Sequence, residues 1–253
     1  MRQKLHIYAL RITQYVSRFT FHKMKSDSQK YIDIIEWDVV NWRKALNYWD
    51  QEITEPLAGR RALEVGGRNG GLSLYLALRG CEVVCSDFRE PTQRAREIME
   101  RYGVSDRVVY ESVNVTNIPY PDNAFDIVAF KSVLGNVGIH GGKARQKQAM
   151  DEIYRVLKPN GTLLFAENLK ASAVLTFFRE KFVKWGGAWR YMTVQEMKEL
   201  TSQFSDFHYR TYGYFACFGR SEMHRRLLSL LDWAMNPFLK AQSKYIIYGY
   251  ARK

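Results

Sequence analysis

From residue 60 onward, short apolar runs alternate with longer stretches whose apolar positions recur every three or four residues. The runs fall at 61–65 (RALEV), 82–86 (EVVCS), 108–113 (VVYESV), 125–130 (FDIVAF) and 162–167 (TLLFAE), and read as strands. Helical stretches lie between them at 70–79, 91–102 and 143–157, the last ending on LKPNG, where Pro159 and Gly161 supply a stop and a turn. Short β runs separated by helices predict a parallel sheet covered on both faces. After residue 170 the rhythm changes: helices at 172–184 and 193–203, a strand near 206–215, a helix at 221–240 and a last strand at 245–251. Upstream, Leu5, Tyr8, Ile12, Tyr15 and Phe19 recur at helical spacing among Arg2, Lys4, Arg11 and Arg18, the pattern of a basic amphipathic helix. FHKMKSDSQ interrupts it, and an aromatic-rich helix is expected over 28–50. The chain therefore divides into a helical extension or cap at 1–58 and one α/β domain at 59–253.

Composition adds three exclusions. With 46% hydrophobic and 25% charged residues the chain is not predominantly disordered. Three cysteines (Cys81, Cys85, Cys217) in no metal-ligand spacing predict a reducing compartment, no disulfide framework and no metal. No uninterrupted apolar run reaches spanning length, so a cytoplasmic protein is expected. The net charge of +12 sits in the flanks: residues 1–30 carry seven Lys/Arg against one acid, residues 219–253 seven against two, and residues 59–168 fifteen against thirteen. Such placement suits an anionic acceptor, a membrane surface or a nucleic acid.

The chemistry concentrates in ALEVGGRNGGLSLYLALRG, a strand, a glycine-rich turn and a helix. Glycine permits positive φ and lets a ligand approach the backbone, and in open α/β sheets ligands sit beyond the carboxyl ends of the strands. A dinucleotide fingerprint needs its middle glycine at position 68, where the chain has Arg68, so a nicotinamide oxidoreductase is disfavoured. A G-x-x-x-x-G-K-[ST] phosphate loop is absent as well. Asp87 closes the second strand 21 residues after Gly66, where a carboxylate can accept both ribose hydroxyls or simply start the next helix.

Over residues 60–168 these features resemble the class I S-adenosylmethionine-dependent methyltransferases. The first motif of that family, an acid followed by G-x-G-x-G, is matched by Glu64, Gly66 and Gly70 and broken at Arg68. The resemblance implies a Rossmann-like seven-stranded, mostly parallel sheet with an N-terminal helical cap over the cofactor cleft. It further implies that Gly66 and Gly67 line the methionine part of the cofactor, that Asp87 holds the ribose, and that Phe88 lies against the adenine. Asn114, where an acid is usual, and Val115 would face the adenine edge, Asn114 accepting through its carbonyl. EIYRVLKPNGTLLFAE matches the helix, turn and strand that precede the fifth-strand edge in the family.

Methyl transfer is an in-line displacement, so such an enzyme mainly aligns donor and acceptor; a hydroxyl acceptor also needs a base. The candidates lie in the loops after the fourth and fifth strands: His140 as general base, Glu167 and Lys131, with Lys170 nearby. Glu167 has a competing role, ordering nearby backbone at a strand end. His6, His22, His208 and His224 are expected to be structural or surface residues. KWGGAWRYMT either forms an acceptor loop, with aromatics and Arg190 meeting a sugar, carboxylate or phosphate, or packs between helices.

The variant motif E-x-G-x-R-x-G-G-L-S-L followed by C-S-D is similar to methyltransferases of bacterial surface-polysaccharide pathways. That likeness implies O-methylation of a sugar on a lipid-linked or nucleotide-linked glycan. The basic N-terminus and the 221–240 helix either contact the inner membrane face peripherally or pack on the domain. Methylation of RNA or of a small metabolite is the alternative; nucleic acid is disfavoured because no base-pocket motif and no aromatic platform accompany the charge. A non-catalytic binding protein that kept the fold rests on the broken glycine motif alone.

Overall fold

The computed structural model of the protein describes residues 28–139, 141–182 and 189–253. Seven strands form one sheet in the order β3-β2-β1-β4-β5-β7-β6. They are β1 Arg61–Val65, β2 Glu82–Asp87, β3 Val108–Ser112, β4 Phe125–Lys131, β5 Leu157–Asn168, β6 Asp206–Tyr212 and β7 Ile246–Arg252. All neighbours pair in parallel except β7, which runs antiparallel to both β5 and β6. The seven strands foreseen from the runs are all present, in the Rossmann-like, mostly parallel sheet expected.

The central strands are buried on both faces, which is why their sequences read as continuous apolar runs rather than alternations. One apolar layer packs under helices 28–35 (α1), Val39–Glu52 (α2), Gly71–Ala77 (α3) and Gln93–Arg101 (α4). The opposite layer packs under Leu134–Val137 (α5), Gly142–Val156 (α6) and Val194–Leu200 (α8). Ala173–Phe182 (α7) and Glu222–Met235 (α9) complete the order.

Three expectations change in detail. The helix foreseen over 28–50 is two helices, because Glu36 (φ 72°) and Asp38 (φ 47°) turn the chain through the left-handed region. The Glu222 carboxylate then accepts hydrogen bonds from the N–H groups of Asp38 (2.7 Å) and Val39 (3.1 Å) and starts α2 there. The boundary at residue 58 does not separate two cores: Trp42 and Trp49 are fully buried in the same layer as the sheet, and Trp49 Nε1 donates to the Gly249 carbonyl at 2.8 Å. Finally, β5 begins earlier than expected. Phe125 pairs with Leu157 and Ile127 with Thr162, so K-P-N-G bulges out of the ladder, with Asn160 at φ 64°. The helical residues expected at 1–20 lie outside the described residues.

Candidate active site

Parallel topology places the ends of β1, β2, β4 and β5 on one edge, and Glu64, Asp87, Lys131 and Glu167 all fall there. Between β1 and α3 the chain turns on Gly66 (φ 69°) and Gly70 (φ 72°), both in the left-handed region that favours glycine. A side chain at Gly66 would stand 2.3 Å from Val133 Cγ2, and one at Gly67 would stand 2.8 Å from Glu64 Oε2. Neither position has room for a Cβ.

Glu64 holds this turn in place. Its Oε1 accepts from the Leu72 N–H at 2.9 Å, and its Oε2 accepts from the Ser73 N–H at 2.8 Å and the Ser73 hydroxyl at 2.5 Å. These are the first N–H groups of α3, which has no local side-chain cap because Gly70 precedes it. Glu64 therefore caps α3 from the preceding strand, across the glycine turn. Burial pushes its carboxyl up to about 7, against the lowering effect of the Ser73 and Leu72 hydrogen bonds.

Arg68 sits at φ 33°, the conformation for which the first motif ordinarily uses glycine. Its guanidinium pairs with Glu36, whose other oxygen accepts from Asn69 Nδ2 at 3.1 Å. The chain between α1 and α2 thus lies across the glycine turn, and Gly71 packs so closely beneath it that a Cβ would be 2.1 Å from the Ile34 carbonyl oxygen. Sequence reading missed Glu36. An acid inside the apolar stretch YIDIIEWDVV was the available signal.

Asp87 accepts from the Arg68 N–H at 2.9 Å through one oxygen and from the Phe88 N–H at 2.7 Å through the other. Each oxygen keeps a further lone pair for a ribose hydroxyl. Phe88 is 70% exposed beside it, an aromatic face with nothing covering it. Val115 is buried, and the Asn114 carbonyl accepts from both the Thr116 N–H (3.1 Å) and the Thr116 hydroxyl (2.9 Å). Both lone pairs of that oxygen are in use, so the expected acceptance from an adenine amino group through this carbonyl does not match the geometry. The Asn114 amide is the group left to face a ligand.

Of the three candidate catalytic residues, His140 lies outside the described residues. Glu167 is fully buried; its Oε2 accepts from Val133 (2.8 Å) and Leu134 (2.7 Å) N–H groups and its Oε1 from Asn168 N–H (2.8 Å). It orders the start of α5, the second of the two roles read from sequence, and has no face toward an acceptor. Burial holds its carboxyl up at about 7. Lys131 is half-buried, with Nζ 5.3 Å from the centroid of the Trp42 ring. Desolvation lowers its pKa, while Glu36, Glu64 and Glu167 act in the opposite sense. Near it, Trp42 Nε1 and Asn168 Oδ1 are buried polar atoms without partners among the described residues, and Asn168 Nδ2 donates to Ser132 Oγ at 3.0 Å. A buried polar atom without a partner is costly unless a ligand meets it, so these two atoms fit a polar guest at the strand edge.

Arg190 is engaged by Gln146 Oε1 and Glu196 Oε1, both at 2.5 Å, and so ties its segment to α6 and α8. The packing alternative therefore describes Arg190, and residues 183–188 of that segment lie outside the described residues. His208 bonds Asp206 at 3.1 Å and stacks on Tyr250, a structural place on β6, and His224 is exposed on α9.

Residues 63–165 match the family described as a methyltransferase domain, and Glu64, the glycine turn, Asp87 and Lys131 of the strand edge just built all lie within that stretch. The chain is 34% identical over 115 residues to the glycine/sarcosine/dimethylglycine N-methyltransferase of Actinopolyspora halophila, covering 45% of this chain and 19% of that protein. It is likewise 34% identical over 128 residues to the ubiquinone/menaquinone biosynthesis C-methyltransferase UbiE of Hydrogenovibrio crunogenus, covering 49% of this chain and 48% of that one. The chain thus spans less than half the length of either relative. Among solved structures, phosphoethanolamine N-methyltransferase 2 of Haemonchus contortus, in complex with S-adenosyl-L-methionine, superposes with a TM-score of 0.60 at 16% identity, covering 84% of this chain and 52% of that one.

Proposed function

We propose that this protein is an S-adenosylmethionine-dependent methyltransferase that methylates a sugar hydroxyl on a lipid-linked or nucleotide-linked glycan. The observation that carries the donor half is the glycine turn of Gly66 and Gly67, flanked by Glu64 and by an Asp87 carboxylate with capacity for two hydroxyls. When bound, the cofactor supplies a methyl group on a sulfonium centre. Asp87 holds the ribose, Phe88 covers the adenine, and Val115 with the Asn114 amide borders its edge. Glu64 keeps the turn open rather than touching the reacting atoms.

For the acceptor half, support comes from charge. A phosphate-bearing glycan suits a chain of net charge +12 whose cations concentrate outside the catalytic core. Lys131 at the strand edge gives that anion a partner, and His140, in the loop between α5 and α6, is the base for the hydroxyl proton. The enzyme then works in the cytoplasm at the inner membrane face. Among the described residues no helix is long and apolar enough to cross a membrane. A second reading, transfer to a carbon or nitrogen acceptor, is favoured by the names of the two relatives, and it dispenses with the base.

The test is transfer of labelled methyl from S-adenosylmethionine into cell extracts separated into lipid-linked glycan, nucleotide sugar, quinone, RNA and small-molecule fractions. Label in a glycan fraction, lost after mild acid release of the sugar, supports the proposal. Label in the quinone or RNA fraction replaces the acceptor, and no label anywhere with a pure, folded protein removes the activity.

A further inference from the structure

Helices α7 and α9 are built inside out. On α9 the inward residues are Ser229 and Asp232, and the Asp232 carboxylate accepts from the N–H groups of Tyr214 (2.7 Å), Phe215 (2.6 Å) and Ala216 (3.1 Å) and from Asn41 Nδ2 (3.0 Å). With Glu222 bonded to the start of α2, the polar face fastens this helix to the body of the protein. The outward residues are Met223 (76% exposed), Leu227, Leu230, Leu231 and Trp233 (73% exposed), followed by Phe238 (81% exposed). On α7 the largest inward side chain is Arg179, fully buried, which donates to the Leu169 carbonyl at 2.9 Å and lies 3.6 Å from the centroid of the Tyr191 ring. Outward stand Val174, Phe177, Phe178 and Phe182. A cavity of about 490 Å³ between the two helices is lined by Phe178, Phe182, Phe218, Arg220 and His224.

A water-facing helix presents the opposite arrangement. Leucine, tryptophan and phenylalanine exposed on two neighbouring helices form a patch of the kind that marks an interaction surface. Its rim is mainly cationic: Lys181, Arg220, Arg226 and Lys240 are exposed on or beside the two helices, against Glu180 on α7. Seven further Lys/Arg lie within residues 1–30. An isologous contact between two copies would set these cations against each other, and the N-terminal segment carries the same sign. An anionic lipid surface complements both the apolar centre and the basic rim.

We infer that the α7–α9 face docks on an anionic bilayer. Both helices follow strands whose carboxyl ends lie on the cofactor edge, β5 and β6, and α9 is bonded to the same chain segment that crosses the glycine turn. Docking therefore turns the cofactor edge toward the lipid, and the acceptor is one carried in the membrane. This last step rests on the methyltransferase reading; the docking itself does not.

The experiment is co-sedimentation of the full chain with vesicles of phosphatidylcholine alone and with phosphatidylglycerol added, comparing wild type with Leu227→Glu/Leu230→Glu. Both leucines are exposed, so the variant should fold, which its melting curve and its S-adenosylmethionine-induced shift check. Wild type should bind the anionic vesicles, weakly at high salt. The double variant should bind about a hundredfold less, since each buried leucine contributes about tenfold. No vesicle binding by wild type overturns the inference. So does a double variant that binds as well as wild type, which would assign binding to the basic N-terminus. A wild-type dimer in lipid-free solution that the double substitution converts to monomer also overturns it. Vesicle binding without any cofactor-induced shift would instead count against the methyltransferase reading alone.

Discussion

Replacing Glu64 by alanine should cost the protein stability in a pH-dependent way. The change leaves two buried backbone donors, Leu72 N–H and Ser73 N–H, without acceptors. An orphaned buried donor costs about 1–3 kcal/mol, so the pair costs about 2–6 kcal/mol. A second contribution has the opposite sign. The Glu64 carboxyl titrates near 4.5 when unfolded and at about 7 when folded, because burial disfavours its charge. A group whose folded pKa is raised contributes stability that is fully present below pH 4.5 and is lost as pH rises through 7. Across that window the wild type gives up about 3 kcal/mol at this one site. Alanine does not titrate, so it escapes that loss. Glu64→Ala should therefore be destabilised by ~2–6 kcal/mol near pH 5.5, roughly 5–20 °C in Tm, and by about 2 kcal/mol less near pH 8.5. Glu64→Gln should show the same flattening with a smaller loss at low pH. Denaturant unfolding of the three proteins at both pH values measures this. A Glu64→Ala protein melting within 2 °C of wild type near pH 5.5 would refute the capping role. A destabilisation equal at both pH values would refute the burial-driven shift.

S-adenosylmethionine at a hundredfold its Kd should stabilise the protein by about 3 kcal/mol while NAD does nothing, and Asp87→Ala should abolish the effect, as read by thermal shift. His140→Ala should keep that shift while slowing turnover by about 10²-fold or more; near-normal turnover would remove it as the base. Arg68→Gly should melt within a few degrees of wild type, because relief of a left-handed arginine, about 1–2 kcal/mol, offsets loss of an exposed ion pair worth about 0–1 kcal/mol. A large loss there would mean that the Glu36–Arg68 pair, rather than backbone packing at Gly71, fastens the N-terminal segment over the turn.

What could be read from the chain in advance follows physical lines. Strands such as FDIVAF are buried on both faces, and their composition alone announces it. Gly66 and Gly70 are legible because only glycine adopts their φ without strain. Glu167 was visible as a strand-end acid, but its choice between chemistry and backbone ordering depends on α5, which packs on it from 33 residues away. The break at Glu36–Asp38 was illegible for the same reason, since its cap, Glu222, lies more than 180 residues downstream. The helix at 221–240 was expected, either packed on the domain or on a membrane, and periodicity says nothing about which face turns inward. Asp232 decides that, through partners on other elements.

Four starts of helical segments in this fold, those of α2, α3, α5 and the short turn at 214–216, take their capping acceptors from Glu222, Glu64, Glu167 and Asp232 on other elements. The start of α3 takes its cap from the strand just before it, but those of α2 and α5 take theirs from distant chain and wait for a loop closure. The glycine turn is covered only once the N-terminal segment has arrived and α9 has capped α2 behind it, which makes cofactor-binding competence one of the last properties the chain acquires as it folds. Contacts of such separation slow folding. In pulse-labelled hydrogen exchange, the amides of Asp38 and Val39 should gain protection with the final phase of refolding, after those of β4 and β5.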